Sequence, residues 1–216
     1  GSPGSDVCST VPVAAINSLI SSCGRYGRPD LSLRILNTMK KSLGVSPDAT
    51  TYRSAAIACN QAEHERLRRE SQRRQPRHTR EEIGITPQWW ECSLSLLRRM
   101  REEGLHPDVQ IYSSVISSCQ AAGEWQRALG VFKDVVASCD GDMSRLNLYC
   151  VNAAISACEK GSAWVEALDI FHQMPETGPL RPDRVTINTM VEALIRAEQP
   201  DLALDTYKRG LRLRSV

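Results

Sequence analysis

Residues 151–183 read VNAAISACEKGSAWVEALDIFHQMPETGPLRPD and carry two apolar patterns separated by a polar break. The first pattern has apolar residues at positions i, i+3, i+4 and i+7, the spacing of one helix face: Val151, Ala154, Ile155 and Cys158. The second pattern repeats that spacing with Ala167, Ile170, Phe171 and Met174. The stretch therefore predicts a hairpin of two amphipathic helices that ends at Pro182-Asp183.

The same hairpin pattern recurs along the chain. Pro47-Asp48 and Pro107-Asp108 also stand directly before new apolar patterns. Aligned from these joints, the other first-helix stripes are Ile16, Leu19, Ile20, Cys23; Tyr52, Ala55, Ala56, Cys59; Tyr112, Val115, Ile116, Cys119; and Ile187, Met190, Val191, Leu194. The other second-helix stripes are Ser32, Ile35, Leu36, Met39; Ser93, Leu96, Leu97, Met100; Ala128, Val131, Phe132, Val135; and Ala203, Thr206, Tyr207, Gly210.

A hairpin of two amphipathic helices cannot bury both apolar faces alone. Hairpins in tandem therefore have to stack around a shared core. Trp90, Trp125 and Trp164 fall at one equivalent position near the start of the second helix, where an indole ring can wedge between neighbouring hairpins. We predict an all-α fold, an α-solenoid of about five helix-turn-helix repeats.

The composition limits the functions that the chain can have. With 216 residues, a net charge of +2 and a pI near 8.2, it lacks the strongly basic footprint of a duplex-DNA clamp. No apolar run approaches the roughly 18 residues that span a bilayer, so we predict no membrane contact. Eight cysteines include no CxxC pair, which favours buried thiols over a metal site. Without a catalytic set or a Gly-rich phosphate loop, we predict no enzyme activity and no cofactor.

These units resemble the pentatricopeptide repeat family, whose P-type repeat begins close to V-T-Y-N-x-L-I-x-x-C and ends in Pro-Asp. The fifth unit opens Val185-Thr186-Ile187-Asn188, and the fourth combines Trp164, Phe171 and Met174 with its terminal Pro-Asp. The resemblance implies a right-handed solenoid. We place an expression scar and lead-in at 1–12, repeats at about 13–48, 49–108, 109–147, 148–183 and 184–216, and a basic insertion at about 66–87 in the second repeat.

The resemblance also implies where bases are recognised. In the family, one base per repeat is recognised by the fifth residue of the first helix and the last residue of the repeat; we call these two residues the recognition pair. The pairs here are Asn17 with Asp48, Arg53 with Asp108, Ser113 with Asn147, and Asn152 with Asp183, while Asn188 has no partner in the sequence. Asn with Asp is associated with uracil in the family, and Ser with Asn is associated with adenine.

Each recognition residue also has an alternative interpretation. An Asp after Pro and before a helix is a good N-cap with or without RNA. Arg53 fits no common pairing; it stacks on a base, holds a phosphate, or pairs with Asp108 and closes that repeat to RNA. The second residues of the first helices would sandwich bases: Ala14, Thr50, Gln110, Tyr149 and Val185.

The insertion contains the clearest basic block of the chain: Arg66, Arg68, Arg69, Arg73, Arg74, Arg77 and Arg80. The block suits contacts to phosphates. Gln75-Pro76 within a polar run favours the alternative, an extended, charged and solvent-exposed excursion that is largely disordered.

Together these residues predict sequence-selective binding of single-stranded RNA, with a preference resembling U-x-A-U-pyrimidine. Duplex DNA is not an expected ligand. The family resemblance implies RNA processing, stability or translation in a mitochondrion or chloroplast. The alternative is a scaffold for a protein partner or a homodimer, or a structural subunit of a larger ribonucleoprotein assembly, because solenoids serve both uses.

Overall fold

The computed structural model describes residues 12–72 and 88–214. Within these ranges the chain forms α-helices, one short 3₁₀ turn at Met143–Arg145 and no β-strand. The helices are α1 Val13–Arg25, α2 Pro29–Ser42, α3 Ala49–Gln72, α4 Trp89–Glu102, α5 Val109–Ala122, α6 Trp125–Ser138, α7 Leu148–Lys160, α8 Trp164–Gln173, α9 Arg184–Arg196 and α10 Pro200–Arg214. The predicted all-helical architecture is confirmed.

The helices stack in two layers. The odd-numbered helices, which are the first helices of the hairpins, pack on one another in the order α1, α3, α5, α7, α9. Each even-numbered helix from α2 to α8 packs between the two odd-numbered helices that flank it in the chain. The exposed side of α1, α3, α5, α7 and α9 therefore forms one continuous surface, which we call the first-helix face. The repeat boundaries at residue level stay a prediction.

The core consists of the apolar stripes. Ile20, Ile116 and Ile155 are fully buried between hairpins, as the helical spacing requires. Leu19 and Tyr207 differ, with exposed fractions of 57% and 50%. Each lies on an outermost hairpin of the described stack, on the side where an inner hairpin would meet its neighbour. The stripe pattern is uniform along the chain, but burial at its ends depends on a neighbour.

The tryptophan wedge is visible at Trp125. A Cβ atom added to Gly161 would lie 2.2 Å from Trp125 Cγ, so the indole ring fills the space that a side chain would take. Trp125 begins α6 and Gly161 directly follows α7, the first helix of the next hairpin. The contact requires glycine at this position and joins the two hairpins.

The second repeat departs from the expected outline, because α3 continues as a helix as far as Gln72. Arg66, Arg68 and Arg69 lie on this extension, so the expectation of an extended excursion beginning at about 66 is wrong for these three residues. Glu–Arg pairs one helical turn apart stabilise it: Arg66 bonds Glu70 at 2.7 Å, and Arg69 bonds Glu65 at 2.8 Å. Arg73, Arg74, Arg77 and Arg80 lie outside the described residues.

A buried acid closes the hairpin across the insertion. Glu63 is fully buried, accepts the backbone N–H of Trp89 at 2.9 Å through Oε2 and pairs with Arg66 through Oε1. Because the first N–H groups of a helix lack partners within the helix, Glu63 satisfies one of them for α4. The extension of α3 thereby holds the start of α4.

Candidate nucleic-acid interface

The five predicted recognition positions all lie at the same place on the odd-numbered helices. Asn17, Arg53, Ser113, Asn152 and Asn188 are each the fifth residue of their helix, from α1 to α9 in turn. Their alignment follows from the helix starts, which fall at the same register in each repeat. The first-helix face therefore carries one such residue per hairpin.

The last residue of each repeat caps the next odd-numbered helix. Asp108 accepts the N–H of Ile111 at 2.9 Å, and Asn147 accepts the N–H of Cys150 at 2.7 Å. Asp48 and Asp183 accept the corresponding N–H groups at 2.7 Å and 2.8 Å. These residues therefore have a structural role as N-caps whether or not RNA binds.

In the first and fourth repeats the amide and the carboxylate of the recognition pair touch. Asn17 Nδ2 donates to Asp48 Oδ1 at 3.2 Å, and Asn152 Nδ2 donates to Asp183 Oδ1 at 3.3 Å. A threonine hydroxyl donates to the amide oxygen of each pair: Thr51 Oγ1 lies 2.7 Å from Asn17 Oδ1, and Thr186 Oγ1 lies 2.6 Å from Asn152 Oδ1. The two repeats share the same arrangement, although they stand at opposite ends of the first four.

The second repeat is closed by an ion pair. Arg53 Nη1 lies 2.8 Å from Asp108 Oδ2, and both side chains are partly exposed. Of the three interpretations of Arg53, the structure shows the one in which it pairs with Asp108. The carboxylate is thus held by a guanidinium, and this repeat has no amide at the position that Asn17 takes in the first repeat.

The third repeat pairs a hydroxyl with an amide. Ser113 Oγ lies 3.2 Å from Asn147 Oδ1 and 2.6 Å from the Val109 carbonyl oxygen. A hydroxyl has a single proton, and Ser113 donates it to the Val109 carbonyl oxygen because that acceptor is the closer of the two. Asn147 Oδ1 already accepts the N–H of Cys150, which points its NH₂ group away from the cap. The third repeat therefore differs from the first and fourth in its donors.

The carboxylates of Asp48 and Asp183 stay charged at neutral pH. For Asp183, burial raises the pKa, but the hydrogen bonds from Thr186 and Asn152 lower it by more than burial raises it. The pKa of Asp183 therefore lies below its ordinary value. Asp48 has the same balance, with burial opposed by hydrogen bonds from Thr51 and Asn17. A charged carboxylate accepts hydrogen bonds and donates none, which restricts what can face it.

The predicted base-sandwiching positions are all exposed on this face: Ala14, Thr50, Gln110, Tyr149 and Val185. The Tyr149 hydroxyl lies 2.7 Å from Ser117 Oγ, which also lies 3.0 Å from His64 Nε2. This contact chain crosses α3, α5 and α7 and was not predicted. No sequence pattern signals these contacts, because they join residues of three helices that are far apart in the chain.

An open groove lies beside the first recognition pair. It lies between α1 and α3, has a volume of about 720 Å³, and is lined by Asn17, Asp48, Ala14, Thr50 and Arg25 among others. The groove thus places the amide, the carboxylate and the flanking second-position residues around one space. Burial raises the pKa of Cys119, Cys150 and Cys158 to about 12, so these three thiols are not reactive groups near neutral pH.

Comparison with known proteins now adds to this geometry. The family model of the PPR repeat matches residues 15–42 and 149–178, and the pentatricopeptide repeat domain model matches residues 95–138. These matches, over just under half of the chain, identify pentatricopeptide repeats in it. A pentatricopeptide repeat-containing protein of Arabidopsis thaliana is 22% identical over 196 residues, which are 90% of this chain and 54% of that protein. The chain thus spans about half the length of this relative.

Solved pentatricopeptide repeat structures share the fold. The PPR domain of Arabidopsis thaliana protein-only RNase P 1, crystallised with tRNA, aligns with a TM-score of 0.70 at 13% identity, covering 94% of this chain and 91% of that one. PPR10 in complex with an 18-nt psaJ RNA element aligns with a TM-score of 0.61 at 21% identity, covering 99% of this chain and 29% of that one. Nuclear protein-only RNase P 2 of Arabidopsis thaliana aligns with a TM-score of 0.71 at 15% identity, covering 95% of this chain and 39% of that one. At these identities the likeness shows the fold.

Proposed function

We propose that the first-helix face binds single-stranded RNA, with one base opposite each repeat. The observation that carries the proposal is the contact within every recognition pair: four pairs, each built across a repeat joint, stand in the same register on one continuous surface. An unstacked base offers its Watson–Crick edge to such side-chain donors and acceptors. Two structural neighbours, the RNase P 1 domain and PPR10, were crystallised with RNA, which supports the same class of ligand.

The chemistry of the pairs supports a U-x-A-U-pyrimidine preference with the 5′ end at the amino-terminal repeats. In repeats 1 and 4 the Asn amide presents an N–H donor beside a carboxylate acceptor, which matches the O4 and N3–H groups of uracil. In repeat 2 the Arg53–Asp108 ion pair satisfies its own groups, and we propose that this repeat accepts any base. The assignments of Ser113 with Asn147 to adenine and of Asn188 to a pyrimidine rest on the family resemblance.

The direct test measures base choice. The protein is incubated with a random single-stranded RNA pool, and bound sequences are recovered at two salt concentrations. We expect uracil at the first and fourth positions, adenine at the third and no preference at the second. A duplex of the selected sequence serves as a control and should bind weakly, because paired bases hide the edges that the amides contact. Recovered RNA without preference at the first and fourth positions contradicts the proposal and favours a protein-binding scaffold.

The basic insertion is proposed to contribute affinity without base choice. Of its arginines, Arg66 and Arg69 are engaged in ion pairs on α3, whereas Arg68 is exposed on the same helix. Phosphate contacts release counterions, so they appear in the salt dependence of binding. Replacing Arg73, Arg74, Arg77 and Arg80 with Ala should lower the slope of log K against log salt and leave the selected sequence unchanged. An unchanged slope means that these four residues do not contact RNA.

We further propose that the chain acts by binding and not by catalysis, in an organelle, in RNA processing, stability or translation. The proposal follows the family resemblance and the recognition geometry. Incubation of labelled target RNA with the purified protein should leave the RNA intact, and expression of the full-length tagged protein should place it in mitochondria or chloroplasts. Cleaved RNA or a cytosolic signal would contradict the respective parts of this proposal.

A further inference from the structure

A buried threonine accompanies each recognition pair that contains Asn and Asp. Thr51 is the third residue of α3 and Thr186 is the third residue of α9, and their exposed fractions are 0% and 1%. Neither can touch a ligand directly. Both hydroxyls point at the amide of the preceding repeat, so their influence on a ligand has to pass through Asn17 and Asn152.

The hydrogen bonds around Asn152 form a closed ring. The backbone N–H of Asp183 donates to Thr186 Oγ1 at 3.2 Å, and Thr186 Oγ1 in turn lies 2.6 Å from Asn152 Oδ1. Asn152 Nδ2 then donates to Asp183 Oδ1 at 3.3 Å. The first repeat has the same ring, with distances of 3.1 Å, 2.7 Å and 3.2 Å among Asp48, Thr51 and Asn17.

This ring permits one orientation of the amide. The carboxylate of Asp183 only accepts hydrogen bonds, so the Asn152 NH₂ group has to face it. Thr186 Oγ1 already accepts from the Asp183 backbone, which leaves its proton for the Asn152 oxygen, the nearest acceptor. With one N–H bound to Asp183 and the oxygen held by Thr186, the second amide N–H is the group left to meet a base.

The other two joints provide an internal comparison. The residues equivalent to Thr51 and Thr186 are Ile111 after the Arg53 pair and Cys150 after the Ser113 pair. Neither repeat has an amide at the fifth position to orient. Threonine is therefore present at the two joints where the fifth residue is Asn and replaced at the two where it is not, as expected if its hydroxyl serves the amide.

We infer that Thr51 and Thr186 are positioning residues that set base choice by orienting Asn17 and Asn152. The inference rests on the proposed RNA-binding function. An amide N–H facing the base suits the O4 carbonyl of uracil and opposes the exocyclic amine of cytosine. Without the threonine hydroxyl, only the longer contact between Asn152 Nδ2 and Asp183 Oδ1, 3.3 Å, restrains the amide of the fourth repeat. The amide is then expected to rotate part of the time and present its oxygen, which accepts from that amine. The hydroxyl thus favours uracil over cytosine at the first and fourth bases.

The test uses one substitution per ring, so that each ring is the control for the other. Competition binding with RNAs that carry uracil or cytosine at the first or fourth base gives the uracil-to-cytosine ratio at each position. Thr186→Val should lower the ratio about five- to tenfold at the fourth base, the worth of one buried hydrogen bond, and leave the first base unchanged. Thr51→Val should do the reverse. Thr186→Ser keeps the hydroxyl and should keep the ratio.

Thr186→Cys extends the test if the valine variant does not fold, because Cys150 occupies the equivalent position in the third repeat and its thiol is a weak donor. A folded Thr186→Val or Thr186→Cys variant that keeps the wild-type ratio at the fourth base overturns the inference. So does a variant that weakens all RNAs equally, since that result marks a merely structural residue.

A second readout does not depend on RNA. The side-chain NH₂ signals of Asn152 in a nitrogen-15 NMR spectrum should be displaced from those of a free asparagine in the wild type and in Thr186→Ser, because the amide is held by hydrogen bonds. In Thr186→Val both signals should move towards the free-asparagine values. If the wild-type protein shows no preference at the fourth base, the proposed function is contradicted. The NMR comparison then still tests, without RNA, whether Thr186 orients the Asn152 amide. Unchanged Asn152 signals in Thr186→Val overturn that contact.

Discussion

Replacing Asn152 with Ser and Asp183 with Asn converts the recognition pair of the fourth repeat into that of the third. The new pair should copy the contact between Ser113 and Asn147, in which the hydroxyl approaches the cap oxygen at 3.2 Å. The preferred fourth base should therefore change from uracil to adenine. By analogy with good direct contacts to a base, the change in preference should amount to about 1 to 3 kcal/mol.

The fold should tolerate this exchange. Asn is as good an N-cap as Asp, so the hydrogen bond from the Thr186 N–H, 2.8 Å in the wild type, persists. The exchange removes the amide that bonds Thr186 Oγ1, but that hydroxyl lies 2.8 Å from the cap oxygen and can donate there instead. We expect a loss of unfolding free energy of about 1 kcal/mol, measured by urea denaturation.

The assay compares two RNAs that differ only at the fourth base, in direct competition for each protein. The matched control applies the same exchange to Asn17 and Asp48, which should move the first base and leave the fourth alone. A folded double variant whose choice at the fourth base does not move would refute the reasoning: Asn152 would then be a solvated helix residue, Asp183 only a cap, and a protein scaffold the better interpretation.

Three further predictions follow from the contacts. Arg53→Asn, which breaks the ion pair with Asp108, should create a preference for pyrimidines at the second base in an RNA selection, with stability changed by less than about 1 kcal/mol because the pair is partly exposed. Uracil and cytosine should bind about equally there, because Ile111 stands where the other two Asn–Asp joints have threonine; a second base that stays unselected contradicts the closed-repeat interpretation. Glu63→Ala should lower the free energy of unfolding, measured in urea, by about 2 to 4 kcal/mol. The reason is that Glu63 is fully buried, accepts the Trp89 N–H and pairs with Arg66. Glu63→Gln keeps an acceptor and should lower the free energy of unfolding by less. Because the pKa of Asp48 and of Asp183 is lowered in the folded protein, their charged forms stabilise the fold above the ordinary carboxyl value of 3.8, and this stabilisation is lost as pH falls through the lowered pKa. The double variant Asp48→Asn with Asp183→Asn should therefore lose less stability than wild type between neutral pH and about pH 3, and equal losses would count against charged caps.

The sequence predicts the fold because its apolar spacing is repeated and local. The positions of Asn17 and Asn152 follow from the same spacing, since a helix start fixes where its fifth residue stands. The link between Glu63 and Trp89 could not be predicted, because it joins residues 26 positions apart across the insertion. The exposure of Leu19 and Tyr207 could not be predicted either, because a stripe does not reveal whether a neighbour covers it.

The orienting role of the threonines illustrates a different limit. A Thr at the third position of a helix after an Asp is expected for a capping box, and α9 has one. The capping box is therefore a sufficient local explanation for Thr186. For that reason the sequence does not indicate its contact with Asn152, which lies 34 residues earlier. Only the packing of α7 against α9 reveals that the cap and the recognition amide share a hydroxyl.

Each cap belongs to the helix that follows it. The residues that specify one base are therefore divided between two successive hairpins. A base at the fourth position depends on Asn152 in α7 and on Asp183 and Thr186 at the start of α9. An engineer who transplants whole hairpins, cut just before a first helix, would carry the amide away from the threonine that aims it. Cassettes cut within the odd-numbered helices, between the third and the fifth residue, would keep each amide with its original cap and threonine. Recombination among related genes faces the same constraint, so crossovers between the third and the fifth residue of a first helix are expected to exchange specificities more cleanly than those placed after the fifth residue.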